Sequence, residues 1–106
     1  MNRALHAEVE QHESQAVIKL EGSSGILEAE QVRGWLDELV AQRVPHIFLD
    51  LEQMDSVGAL AVAAVAASYA HSHEHSDIEV LAPKGMGLDM LARNHVTDFL
   101  PVHYSA

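Results

Sequence analysis

The sequence predicts an α/β fold, a mixed central β-sheet of four or five strands with helices packed on it, and three observations carry that prediction. Short apolar runs of strand length alternate with longer stretches of helical periodicity. Their order, ββαβαβα followed by a last short strand, calls for crossover connections, and crossovers place helices against parallel strands. The chain has 106 residues, 48% of them hydrophobic. That is one small domain, burying roughly two-thirds of its unfolded surface around a single core.

Leu5, Ala7 and Val9 alternate with His6, Glu8 and Glu10, and Ala16 to Leu20 forms a second β-prone run before Gly22-Ser23-Ser24-Gly25. Two antiparallel strands fit this pattern. From Leu27 to Arg43, apolar Leu27, Val32, Trp35, Leu36, Leu39 and Val40 recur at near-helical spacing with charges between them. This is an amphipathic helix, ended by Pro45. His46 to Leu51 reads as a buried central strand, and Glu52 to Gly58 as a short acidic loop into an Ala-rich helix from Val57 to Tyr69. Ile78 to Ala82 is a further strand stopped by Pro83. Lys84 to His95 gives a last short helix, and Phe99 to Tyr104 a final strand interrupted by Pro101. Trp35, Met86 and Met90 are expected in the core, and Glu28, Glu30, Asp37 and Glu38 on a solvated face.

The formal charge of −10 is spread along the chain, with acids outnumbering bases on both sides of Gln53. Such a surface repels phosphate backbones and anionic lipid, so neither nucleic acid nor a membrane is expected as a direct partner. With no cysteine, a disulfide framework, a thiolate zinc site and a thiol nucleophile are excluded. The longest near-apolar run, Val57 to Ala67, is about half of what spans a bilayer. The first residues lack the apolar core of a secretory leader, which predicts a cytoplasmic protein.

The most informative stretch runs Ile47-Phe-Leu-Asp-Leu-Glu-Gln-Met-Asp-Ser-Val-Gly-Ala-Leu60, a buried strand, an acidic connection, then Asp55-Ser56 opening an apolar helix. An apolar strand ending in Asp-Leu and then, about five residues on, Asp-Ser-x-Gly-Ala/Leu-Ala/Leu resembles the STAS domain of anti-sigma factor antagonists. The resemblance extends through Ala16-Val-Ile-Lys-Leu-Glu-Gly22 to Gly87-Leu-Asp-Met-Leu-Ala-Arg93 and Phe99-Leu-Pro-Val102, nearly the whole chain. It implies a regulatory binding module rather than an enzyme, with Ser56 phosphorylated by a partner kinase and Asp55, Ser56, Val57 and Gly58 meeting the partner. The implied partners are an anti-sigma factor or similar serine kinase regulator, and a serine phosphatase that reverses the modification; no cofactor is implied. A second implication is a STAS subunit docked on the ATPase of an ABC lipid-transport complex, although such subunits often carry Thr where this chain has Ser56. A module detached from an anion transporter is the remotest.

Physical chemistry makes Ser56 a reasonable phosphoacceptor on its own terms. A helix start offers unsatisfied N–H groups and the positive end of the dipole, both of which favour a phosphate. The added charge of about −1.5 to −2 beside Asp55 would repel an acidic or apolar partner surface. Asp and Ser are equally preferred as N-caps, so capping accounts for the pair as well, and the two roles are compatible. The chain departs from the family at Gly22-Ser23-Ser24-Gly25, where many members have Gly-Glu-Leu-Asp, and at Val57, where Ser, Thr or Ala is common.

Other candidates are weaker. His71, His73 and His75 share one face if extended, whereas a helix aligns only His71 with His75. Lacking a fixed fourth ligand, the segment reads as a solvated turn that takes up zinc or nickel adventitiously. There is no Gly-x-Ser-x-Gly elbow, and Lys84-Gly85-Met86-Gly87 lacks the order of a phosphate loop, so catalysis has little support. Glu30 and Asp37 remain minor candidates for a partner surface.

Overall fold

A computed structural model describes residues 6–12, 14–22, 26–72, 77–83 and 86–104, with 26–28, 88 and 90 described by backbone alone. The elements are β1 (His6–His12), β2 (Gln15–Gly22), α1 (Ile26–Ala41), β3 (His46–Met54), α2 (Ser56–Ser72), β4 (Asp77–Ala82), α3 (Leu88–Arg93), α4 (Val96–Phe99) and β5 (Val102–Tyr104). The five strands lie side by side in chain order. β1 and β2 are antiparallel, and β2, β3, β4 and β5 run parallel. The sheet is therefore mixed, as the alternation of strands and helices predicted.

Right-handed connections that always step the same way across a sheet put every helix on one face. Burial agrees. Ala16, Ile18 and Leu20 of β2, Ile47, Leu49 and Leu51 of β3, and Ile78, Val80 and Ala82 of β4 are at most 3% exposed beneath the helices. The alternating residues Val17, Phe48, Asp50, Glu79 and Leu81 sit on the opposite, half-open face. β2, β3 and β4 thus bury one apolar face in a two-layer core and leave a mixed face, apolar at Val17, Phe48 and Leu81, half-open. β1 is mostly exposed, and its Glu8 and Glu10 guard the sheet edge against pairing with other chains.

α2 is the centre of the helical layer. Its Ala-rich faces let it lie close to the sheet, with α1 on one side and α4 on the other, and Ala59, Val62, Ala63, Ala66, Ala67 and Tyr69 are buried. Tyr69 donates a 2.7 Å hydrogen bond to Asp37 of α1. Trp35 is half-buried against the core, and Met86 is fully buried.

Four boundaries differ from expectation, each for a local reason. α1 ends at Ala41, well before Pro45, because Arg43 adopts the left-handed conformation (φ 60°). The N–H of Arg43 then reaches the Val40 carbonyl at 2.9 Å, and that of Val44 the Leu39 carbonyl at 3.1 Å, a Schellman closure. β3 runs on to Met54, so most of the expected acidic loop is strand. α2 continues through His71 and Ser72, so the His-rich segment begins inside a helix; His73 and His75 lie outside the described residues. The last predicted helix is two, broken at Asn94 and His95, the latter at φ 58°, and Phe99 closes α4 instead of opening β5.

Candidate functional site

In β3 the buried series Ile47, Leu49 and Leu51 runs past Asp50, which lies on the half-open face, and just beyond Asp50 the ladder with β2 slips. Lys19 pairs with Asp50 but Glu21 pairs with Gln53, so β3 carries one residue more than its neighbour. This is a β-bulge, a device that re-aims the chain at a sheet rim. Asp50 Oδ1 accepts the Glu52 N–H at 3.1 Å within it. The slip turns Met54 back into the core, 5% exposed, and delivers Asp55 directly over the start of α2.

Asp55 caps that helix. Its Oδ1 accepts the Gly58 N–H at 2.6 Å, and its carbonyl accepts the Ala59 N–H at 2.9 Å, the first bond of α2. Sequence alone left Asp55 and Ser56 as rival caps, and the geometry assigns the cap to Asp55. Ser56 occupies the first helical position, half-buried, and its hydroxyl bonds to none of the described residues. The Ser56 and Val57 amides are among the N–H groups that precede the intrahelical ladder. α2 has no acidic residue in its first turn. An anion on Ser56 would therefore meet free donors and the positive helix end.

The four residues singled out from sequence are brought together here, with unequal exposure. Val57 is 79% exposed, the most exposed large apolar side chain among the described residues, whereas Gly58 is buried and its N–H is taken by Asp55. Val57 is thus a surface feature and Gly58 a backbone one. The loop Ser23-Ser24-Gly25 lies outside the described residues, and Gly22 before it is left-handed (φ 98°).

The minor candidates are occupied otherwise. Glu30 pairs with Arg33 at 3.1 Å on the exposed face of α1. Asp37 accepts the Tyr69 hydroxyl, whose pKa is pushed from 10 up to about 12, chiefly by burial and then by the Asp37 carboxylate, against an opposing pull from Arg33. The Asp50 bulge and the Asp37 to Tyr69 bond were missed from sequence. Neither left a signal: Asp50 fits the outward half of the strand's alternation, and the second pairing spans 32 positions. Among the described residues no cluster of three or more His, Asp or Glu is arranged to hold a metal, and His71 instead lies against Phe99 with ring centroids 4.4 Å apart. No helix of the described chain is long and apolar enough to cross a membrane.

No family profile and no curated protein matches this sequence. Among solved structures, the fold is similar to the crystal structure of an anti-sigma factor antagonist from Mycobacterium paratuberculosis, with a TM-score of 0.70 over 97% of this chain and 90% of that one, at 18% identity. The chain therefore has the STAS-type α/β fold that the sequence resemblance implied.

Proposed function

We propose that this STAS-type chain is a regulatory protein-binding module of a partner-switching pathway. It binds an anti-sigma factor or similar kinase regulator while Ser56 is unmodified. The regulator transfers the γ-phosphoryl group of ATP to Ser56 Oγ, the hydroxyl proton leaves, and the complex comes apart; a serine phosphatase then restores binding. The nucleotide belongs to the kinase, so the module needs no cofactor, and the setting is the cytoplasm.

The observation that carries this reading is the division of labour at the start of α2. Asp55 does the capping, so among the described residues the Ser56 hydroxyl is uncommitted, at a half-exposed helix start beside the exposed Val57. Phosphate placed there adds about −1.5 to −2 charge next to Asp55 on a chain already at −10. The apolar contact offered by Val57 becomes the edge of a strongly anionic patch. Repulsion and desolvation then act on the partner without any rearrangement of the core, a switch by local electrostatics.

The test is affinity capture from the native organism with Ser56→Ala and Ser56→Asp baits, identified by mass spectrometry. Capture of a regulator with a kinase fold by the Ala form alone supports the proposal. Capture of a transporter ATPase by both forms overturns it in favour of a docking subunit, with Ser56 a mere helix-start residue.

A further inference from the structure

At the edge of the sheet opposite Ser56, the amino end of β4 borders a cavity of about 490 Å3 whose walls include His46, Asp77, Ile78, Glu79, Phe99 and Pro101. The cavity exists because β5 starts late. β4 begins at Asp77, but β5 begins at Val102, which pairs with Val80. The first residues of β4 therefore have β3 on one side and, among the described residues, no strand on the other.

Backbone bonding in a parallel ladder alternates between the two neighbours. The Asp77 N–H goes to Pro45 beside β3 at 3.0 Å, and the Val80 N–H goes to Pro101 on the β5 side at 3.0 Å. Ile78 shares the direction of Val80, so its N–H and C=O face the space before β5. The chain opposite offers the Ile78 C=O no donor, because the Leu100 N–H is held by the Val96 carbonyl at 3.0 Å and Pro101 has no N–H, and among the described residues no carbonyl on that side accepts the Ile78 N–H. Among the described residues neither group of Ile78 has a strand partner.

The surrounding side chains add charge and an apolar wall. Asp77 and Glu79 lie on one face of β4, two residues apart. Each is approached by an imidazole, His46 at 3.7 Å from Asp77 and His103 at 3.1 Å from Glu79. Phe99 is 42% exposed.

We propose that this cavity seats a short extended segment of a partner protein bearing one Arg or Lys. Its main chain adds to β4 at Ile78, its basic side chain reaches Asp77 and Glu79, and its apolar neighbour lies on Phe99. Strand addition of this kind takes affinity from main-chain bonds and selectivity from alternate side chains. A small amine would satisfy the carboxylates but leave the Ile78 groups unpaired, which favours a peptide. Charge selects its sign, since an acidic segment would meet two carboxylates on a chain of −10.

The full chain, labelled with nitrogen-15, is titrated with acetyl-Val-Arg-Val-amide and with acetyl-Val-Glu-Val-amide, reading amide shifts. The Arg peptide is expected to give saturable shifts centred on Ile78, Glu79, Val80 and Phe99, with the Ile78 amide moving downfield as it gains an acceptor. Glu79→Gln, a conservative change on the open face, is expected to weaken binding about tenfold, the worth of a charge-assisted contact. Phe99→Ala should weaken it too while the rest of the spectrum keeps its dispersion. An unmoved Ile78 amide up to about 5 mM peptide, well past the weakest useful affinity, overturns the proposal. So does equal binding of the Glu peptide, or reproduction of the same shifts by butylguanidinium alone.

Discussion

At its carboxyl end α2 is fastened from several sides: Tyr69 is buried and bonded to Asp37 of α1, and His71 lies against Phe99 of α4. At its amino end the same helix is closed by a local cap, the Asp55 carboxylate on the Gly58 amide, and shows Val57 to solvent. The contrast teaches where a switch can be placed. A helix whose buried half is anchored by packing tolerates chemistry on its first turn, because the energy holding it lies elsewhere.

That account breaks most easily at Tyr69. Tyr69→Ala is expected to destabilise the chain by about 3–5 kcal/mol in urea unfolding, since a buried aromatic leaves a cavity under both helices. Tyr69→Phe keeps the volume and removes only the hydroxyl, for about 1.5–3 kcal/mol, the range for a hydrogen bond to a charged group. The same residue sets an alkaline limit. Its folded pKa of about 12 lies above the ordinary 10, so the folded state holds this proton more tightly. The resulting stability is whole below about pH 10 and is lost as pH rises toward about 12. Urea midpoints followed from pH 9 to 12 should therefore fall more steeply for the native chain than for Tyr69→Phe.

The amino end should respond more gently and in a set order. Asp55→Ala removes the cap and is expected to cost about 1 kcal/mol. Ser56→Ala removes no cap and should stay within about 0.5 kcal/mol of the native chain. If Ser56→Ala proved the costlier of the two in urea, the assignment of the cap to Asp55 would be wrong.

How far the sequence led can be judged from the same residues. The sheet strands were legible because one face is buried and the other is half-open, which writes a period of two into β2, β3 and β4. The approximate place of α2 was legible because Ala and Val leave room for close packing. What escaped was whatever depends on a single backbone angle or a distant partner. The bulge at Asp50 turned an expected loop into strand, a left-handed His95 divided one helix into two, and Asp37 was read as a solvated charge because its partner Tyr69 is remote in sequence. The strand-to-helix junction at Asp55 to Gly58 was legible, since strand, acid, hydroxyl and helix occur there in unbroken order. Which of Asp55 and Ser56 caps was not legible, as both side chains suit the position.

The most direct measurement is calorimetric binding of the captured regulator to two forms of the full chain, one unmodified and one carrying phosphoserine at position 56. The account predicts that phosphate lowers affinity by about 100-fold or more, the scale of like-charge juxtaposition across an interface, while the urea midpoints of the two forms stay close. Equal affinity for both forms would contradict it, and so would a loss of binding matched by a large loss of stability.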